Sequence, residues 1–240
     1  MLDYTKKYLT INPYSRPAKK LKKIKGIVIH WIASPRGTPE GVYNWFENRK
    51  DGKTGYGSAH FSIGIDGRVF QFIPQQEMAY HVGSKTYTEL GLSISNYPND
   101  STIGIELCHL DWEGSFSDET LESAKILTAL LLKTYNLTTD NIYTHNEIVG
   151  WKDCPRWFVN HPEDFEDFRN EVSIITLLEQ AKALGPVNVR EEPSVKGRKM
   201  AILGRNEIVD ILGIINGWYK IKTDEDIVGY VNQNYITSLF

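Results

Sequence analysis

The sequence predicts an α/β domain, with a central mixed β-sheet flanked by helices, followed by a small all-β barrel. Strand-like apolar runs, among them Ile27 to Trp31 and Thr102 to Cys108, are interspersed with stretches of helical period. The longest of those stretches opens at Ser117 and carries Leu121, Ala124, Leu127, Leu130 and Leu131 at 3.6-residue spacing. At Gly185-Pro186 the grammar changes. Short strands such as VNVR, KMAIL and GWYKIKT then succeed one another between Pro, Gly and Asp signals, and no helix-length period remains.

In chain order, residues 1 to 24 are polar and contain Pro13 and Pro17, an extended arm leading to the strand Ile27 to Trp31. Thr38 is a good N-cap with Pro39 at the first helical position. The helix after this cap has Val42, Trp45, Phe46 and Arg49 on one side, a face expected to pack on the sheet rather than to bind a ligand. From Ser58 the residues alternate, with His60, Ser62 and Gly64 opposite Phe61, Ile63 and Ile65, and Asp66-Gly67 reads as the two-residue turn of a hairpin. His60 is expected to be structural or to support a ligand. Residues 84 to 101 read as a long surface loop of the kind that borders clefts.

The strand Thr102 to Cys108 puts Gly104, Glu106 and Cys108 on one face. A carboxylate there needs a partner, because burial alone would cost several kcal/mol or force protonation. Glu106 is therefore either in a salt bridge or beside a metal-activated water. The longest helix ends near Tyr135-Asn136, and Phe165 to Ala183 reads as one or two further helices with Ile174, Leu177, Leu178 and Ala181 in register. The expected division is a first domain over 1–170, a helical linker over 171–184 and the barrel over 185–240.

Hydrophobic residues at 41% and charged residues at 24% are ordinary for a soluble globular protein. The net charge of -3 argues against a nucleic-acid binder that works by neutralising phosphates. The run Lys19, Lys20, Lys22, Lys23 and Lys25 either meets an anionic polymer or forms a solvated lead-in to the first strand. No membrane insertion is expected, since no run approaches the roughly 18 apolar residues of a span. The opening residues also lack the apolar core of a signal peptide, so synthesis in the cytoplasm is expected. Of the two cysteines, Cys108 lies in an apolar strand and Cys154 in a polar loop, and neither suggests a structural bridge.

The chemistry concentrates in YTHNEIVGWKDCPR, residues 143 to 156, which reads as a loop after a strand and holds His145, Lys152 and Cys154. Imidazole and thiolate are good zinc ligands, and a catalytic zinc keeps three protein groups and one open position. A lone His and Cys pair is more often coincidence. The best third ligand is His30, delivered by its strand to the edge of the sheet.

These pieces resemble a known family. IVIHW around His30, YGSAHFSIGIDGRVFQFIP from Tyr56, MAYHVG around His81, STIGIELC around Glu106 and THNEIVGWKDCPR are similar, in order, to the zinc-dependent N-acetylmuramoyl-L-alanine amidases of the phage-lysozyme and peptidoglycan-recognition-protein type. The resemblance implies His30, His145 and Cys154 as ligands of a Zn2+ cofactor, Glu106 as the catalytic carboxylate and Lys152 as its cationic partner. It implies that His81 faces the substrate cleft, against the alternative of a hydrogen-bonded loop histidine. One departure is that Ala59 stands where some members carry a catalytic Tyr, which throws more of the work on Glu106.

NVREEPS, NGWYKIK and GYVNQNYI resemble a bacterial SH3-like domain of the type found at the wall-binding end of lysins. Trp218, Tyr219, Tyr230 and Tyr235 either line a groove for a wall peptide or, for Trp218 and Tyr230, fill the core of the barrel. Together the resemblances imply an endolysin or autolysin whose partner is bacterial peptidoglycan and which acts on the wall after release, with a monomer favoured. The rival readings are a zinc endopeptidase on the stem peptide and a non-catalytic peptidoglycan-binding module.

Overall fold

The computed structural model describes residues 4–177 and 180–238 and contains two sheets. The first unit runs β1 (Thr5–Lys6), β2 (Gly26–Trp31), α1 (Pro39–Glu47), β3 (Phe61–Ile63), β4 (Val69–Gln71), α2 (Glu89–Ile94), β5 (Thr102–Leu107), α3 (Asp118–Tyr135), β6 (Ile142–Thr144), α4 (His145–Val149), α5 (Arg156–Asn160) and α6 (Pro162–Leu177). Its sheet is mixed, in the order β1-β4-β3-β5-β2-β6: β2 is parallel to β5 and β6, β3 is parallel to β5, and β3 is antiparallel to β4.

Alternation along the central strands separates core from site. Ile27, Ile29, Ile103, Ile105 and Leu107 join a buried cluster with Ala124, Leu127 and Leu131 of α3 and Phe165, Phe168, Val172 and Ile175 of α6. Val28 and Tyr143, on the opposite face, pack with Val82, Ile94, Ile148 and Val149. Burial on both faces is why β2 reads as a continuous apolar run. Helix α3 has the expected ends: Ser117 Oγ accepts from the Thr120 N–H, and Asn136 closes the C-terminus in the left-handed region.

The second unit runs β7 (Gln180–Ala183), β8 (Val187–Arg190), β9 (Lys199–Leu203), β10 (Ile208–Ile215), β11 (Trp218–Lys222), β12 (Val228–Asn232) and β13 (Ile236–Ser238). All its pairings are antiparallel, in the order β13-β7-β10-β11-β12-β8-β9, and its small core includes Val189, Val209, Ile221 and Val231. The barrel packs its β10 against α3 and α6, on the side of the sheet away from His30 and Glu106.

Several local expectations differ from the structure. The helical linker over 171–184 is absent as such: α6 stays on the core of the first unit to Leu177, and Gln180–Ala183 is a strand held between β10 and β13. Alternating burial of Ala181 and Ala183 explains the strand; Leu178 lies outside the described residues. The hairpin loop has three residues, Ile65 to Gly67, because the Gly64 N–H donates to the Arg68 carbonyl and Gly67 takes φ +75°. The stretch 84 to 101 contains α2, whose first turn is capped by the Thr88 hydroxyl accepting from the Gly91 N–H at 3.0 Å. On α1, Val42 and Phe46 pack inward, whereas Trp45 is 57% exposed.

Candidate metal centre and cleft

Strand register sets the site. His30 of β2 and Glu106 of β5 are direct partners in the parallel pair, and Ser62 of β3 is the partner of Glu106 on its other side. Thr144, partnered with Ile29, ends β6, and the next residue, His145, opens α4. Both histidines thus come from the carboxyl ends of adjacent parallel strands, where open α/β sheets form their clefts.

The segment after β6 reads in the sequence as loop and is instead a helical turn leading into a tied loop. The Thr144 hydroxyl accepts from the Glu147 N–H at 3.1 Å, and the Glu147 carboxylate accepts from the Thr144 N–H at 2.6 Å, a capping box written in the sequence as Thr-x-x-Glu. Arg169 of α6 donates to Glu147 at 3.0 Å and to the Ile142 carbonyl at 2.7 Å, locking the turn to the body. Asn146 ties down the loop beyond the turn. Its N–H donates to the Cys154 carbonyl and its side chain to the Lys152 carbonyl, both at 2.9 Å.

His30, His145 and Cys154 come together, all buried, with their ligand atoms within 4.8 Å of one another. His30 Nδ1 is 3.0 Å from His145 Nδ1 and 3.7 Å from Cys154 Sγ. Tetrahedral coordination at usual zinc bond lengths separates ligand atoms by about 3.3 to 3.6 Å. Burial drives His30 well below and His145 down to about 3, and it pushes the Cys154 thiol up to about 12, so without a cation the cluster is uncharged.

A chain of hydrogen bonds fixes which nitrogen of His30 faces the cluster. The Thr102 hydroxyl donates to the Pro98 carbonyl at 2.7 Å, so it can only accept from His81 Nε2, 3.1 Å away. With Nε2 protonated, His81 Nδ1 accepts from His30 Nε2 at 3.0 Å. His30 Nδ1 then carries a bare lone pair turned toward His145 and Cys154. A lone pair held inward beside a second imidazole and a thiol is a donor set that fits zinc.

The family resemblance implies that His81 faces the substrate; it is 6% exposed at the floor of the cleft, with both ring nitrogens engaged by His30 and Thr102. Its ring lies over Gly104, where an added Cβ would come within 2.6 Å of it, so this strand position accepts only glycine. Asn99 completes the support, its Oδ1 accepting from the N–H groups of His81 and Val82 at 2.9 and 2.8 Å. Thr102 and Asn99 are supports of His81 that the sequence does not disclose, since their partners lie on another loop. His60 is structural: Nδ1 accepts from the Gly104 N–H at 3.0 Å and Nε2 donates to the Glu77 carbonyl at 2.9 Å.

Glu106 opens on the cleft and has no ion pair among the described residues. Burial pushes its pKa up to about 8, against the lowering influence of the Lys152 charge; its contact with cleft solvent works in the same direction as Lys152. Lys152 is exposed at the rim. Two cavities meet at Glu106, His81 and Lys152. The smaller, about 450 Å³, runs under Trp31, Ile32, Ala33, Gly37 and Val42. The larger, about 850 Å³, runs past Arg49, Tyr56, Tyr80, Lys85 and Tyr97. Trp45 borders both.

The sequence model of the family described as N-acetylmuramoyl-L-alanine amidase matches residues 20–157, and that of the bacterial SH3 domain matches residues 185–237. A probable N-acetylmuramoyl-L-alanine amidase of Bacillus licheniformis is 32% identical over 172 residues, 72% of this chain and 48% of the relative. The amidase CwlL of the same organism is 31% identical over 174 residues, 72% of this chain and 47% of its own. The chain thus spans about half the length of the curated relatives it matches. The solved structure of PlyL shares the fold of the first unit, with a TM-score of 0.57 at 21% identity, covering 72% of this chain and 98% of that one. The match over 20–157 takes in His30, His81, Glu106, His145 and Cys154, and the chain belongs to the N-acetylmuramoyl-L-alanine amidase family.

Proposed function

We propose that the chain is a zinc-dependent N-acetylmuramoyl-L-alanine amidase, which hydrolyses the amide between the lactyl group of muramic acid and L-alanine in bacterial peptidoglycan. The observation that carries this is the meeting of the buried His30, His145 and Cys154 cluster with Glu106 and Lys152 at the junction of two cleft arms. When bound by these three residues, zinc supplies Lewis acidity and a water of lowered pKa. Glu106, the strand partner of His30 at the mouth of the cleft, accepts the proton of the attacking water and returns it to the leaving amine. The Lys152 ammonium stands by for the charge that develops on the scissile carbonyl oxygen. His81 holds the His30 ring with its Nδ1 lone pair turned inward.

The C-terminal barrel is read as a wall-binding domain, so the whole chain acts on the cell wall as an endolysin or autolysin. No described helix is long and apolar enough to cross a membrane. Digestion of purified walls tests the reaction. New alanine amino termini without new reducing sugar ends are expected. New termini on other stem residues would identify an endopeptidase, reducing ends would identify a glycosidase, and wall binding without cleavage would identify a binding module.

A further inference from the structure

The larger arm of the cleft holds a buried cation that no acid among the described residues neutralises. Arg49 is 9% exposed, and burial lowers its pKa with no carboxylate acting on it. The acid nearest in sequence, Glu47, is engaged elsewhere: it accepts from the Thr10 N–H and pairs with Lys50, both at 2.9 Å. The guanidinium is nonetheless held in one plane. Its Cζ lies 4.0 Å from the centre of the Trp45 ring, and Nη1 donates to the carbonyls of Thr54, Gly55 and Tyr56 at 2.6, 3.3 and 3.4 Å. It also rests on Gly57, where an added Cβ would come within 3.0 Å of Nε and 3.1 Å of Cζ. Nε has no partner, and Nη2 makes no hydrogen bond among the described residues.

Carbonyl dipoles and an indole face offset only part of the cost of taking a charge from water. A second unfilled donor lines the same arm: Asn99 is fully buried and its Nδ2 has no partner. Unfilled donors around a positive charge select an anionic ligand over a neutral sugar. Apart from Lys152, which stands at the junction and lines both arms, the smaller arm has no cationic residue in its lining and is walled by Ile32, Ala33, Gly37 and Val42.

We propose that Arg49 receives a carboxylate of the stem peptide, so that the peptide lies in the larger arm and the glycan in the smaller one. This rests on the reaction proposed above. Across the muramoyl-alanine bond only the peptide side has carboxylates to offer, because the lactyl carboxyl is consumed in the amide. A guanidinium already stacked and tied at Nη1 loses little freedom when it engages an anion.

The test uses the zinc-loaded full chain and muropeptides in which each stem carboxylate is replaced, one at a time, by a carboxamide. Turnover and calorimetric Kd are measured for the wild type, Arg49→Gln and Gly57→Ala. The wild type should lose about 10- to 100-fold in kcat/KM at one of these replacements, mostly through KM, the range of a charge-assisted hydrogen bond. Arg49→Gln should equalise the charged and amidated pair, and Gly57→Ala, which displaces the guanidinium but keeps its charge, should narrow the difference. The proposal is overturned if the wild type is indifferent to every replacement, or if a folded Arg49→Gln chain discriminates like the wild type. Should Arg49→Gln fail to fold, undiminished discrimination by Gly57→Ala overturns it instead. If no alanine terminus is released from any muropeptide but Kd discrimination still tracks Arg49, the reaction fails and the carboxylate site stands.

Discussion

The Tyr230 hydroxyl of β12 donates to the Glu122 carboxylate of α3, at 3.3 and 3.4 Å from its two oxygens, and so joins the barrel to the first domain. Lys220 Nζ lies 3.3 Å from the same carboxylate, and Glu122 is 6% exposed. Burial and the adjacent negative charge push the Tyr230 phenol pKa up, which keeps it a donor throughout the useful pH range. Beside this pair, Ile126 meets Gly213 so closely that an added Cβ would come within 2.9 Å, and Ile214 packs on the core of the first domain. Of the aromatic residues considered for a wall-peptide groove, Tyr230 is therefore spent on the domain boundary, and Trp218 is 8% exposed.

Tyr230→Phe removes the hydroxyl and leaves Lys220 as the charged partner of Glu122 among the described residues. A loss of about 1.5 to 3 kcal/mol is expected, the range for a hydrogen bond to a charged group. Cutting the chain after Leu177 should cost the first domain more, since Ile126 and its neighbours lose their cover. Thermal melting of the full chain, Tyr230→Phe and residues 1–177 checks both. Equal melting temperatures for all three would mean the barrel is only tethered.

Acid should destabilise the fold through His60. Its pKa falls from 6.5 to about 4 because burial disfavours the charged ring. Between those values the unfolded chain takes up a proton that the folded chain refuses. The contribution of neutral His60 is thus whole above pH 6.5 and lost progressively toward pH 4, about 3 kcal/mol in all. Urea midpoints of metal-free wild type and His60→Gln across pH 4 to 7 test this, with a shallower slope expected in the variant. Parallel slopes would assign the acid sensitivity to other groups.

The sequence disclosed what repeats along the chain and concealed what depends on meetings between distant loops. An apolar run locates β2, alternation β5 and the helical period α3, and the face of β5 that carries Glu106 and Gly104 is the one turned to the cleft. The short capped helices escape the sequence reading although Thr144 with Glu147, and Thr88 before Glu89, are their written signals: Gly150 and Pro155 outweigh the first as loop markers, and the Ser, Asn, Tyr and Gly content of 84–101 outweighs the second. The strand β7 was hidden for another reason. Ala181 continues the helical register of Ile174, Leu177 and Leu178 as readily as it alternates with Ala183, and only pairing with β10 and β13 decides between them. The relay from Thr102 through His81 to His30 spans three elements, so no local pattern encodes it.

That relay separates support of the metal from contact with substrate. His81→Ala removes the acceptor that orients His30, so zinc affinity should fall about 10- to 100-fold, as for other outer partners of metal ligands. KM measured at saturating zinc should change little. A large rise in KM with unchanged zinc affinity would restore the expectation that His81 binds substrate.

The final prediction divides metal binding from proton transfer among the residues around the cluster. His30→Ala or Cys154→Ala deletes a ligand, so zinc content and thermal stability should fall together, because an ion that binds only the folded chain adds to its stability. Chelation of the wild type should lower its melting temperature in the same way. Glu106→Gln keeps the shape of the side chain and removes its basicity, so zinc content and fold should survive while turnover drops by about 10²- to 10⁴-fold. Lys152→Ala should also keep zinc, because its backbone carbonyl still receives Asn146 and Cys154, but should lose about 10²- to 10³-fold in kcat as one oxyanion partner disappears. Zinc content, melting temperature and kcat measured on these four variants sort the roles. A zinc-loaded Glu106→Gln chain with full activity would make Glu106 a structural carboxylate and move the general base elsewhere in the cleft.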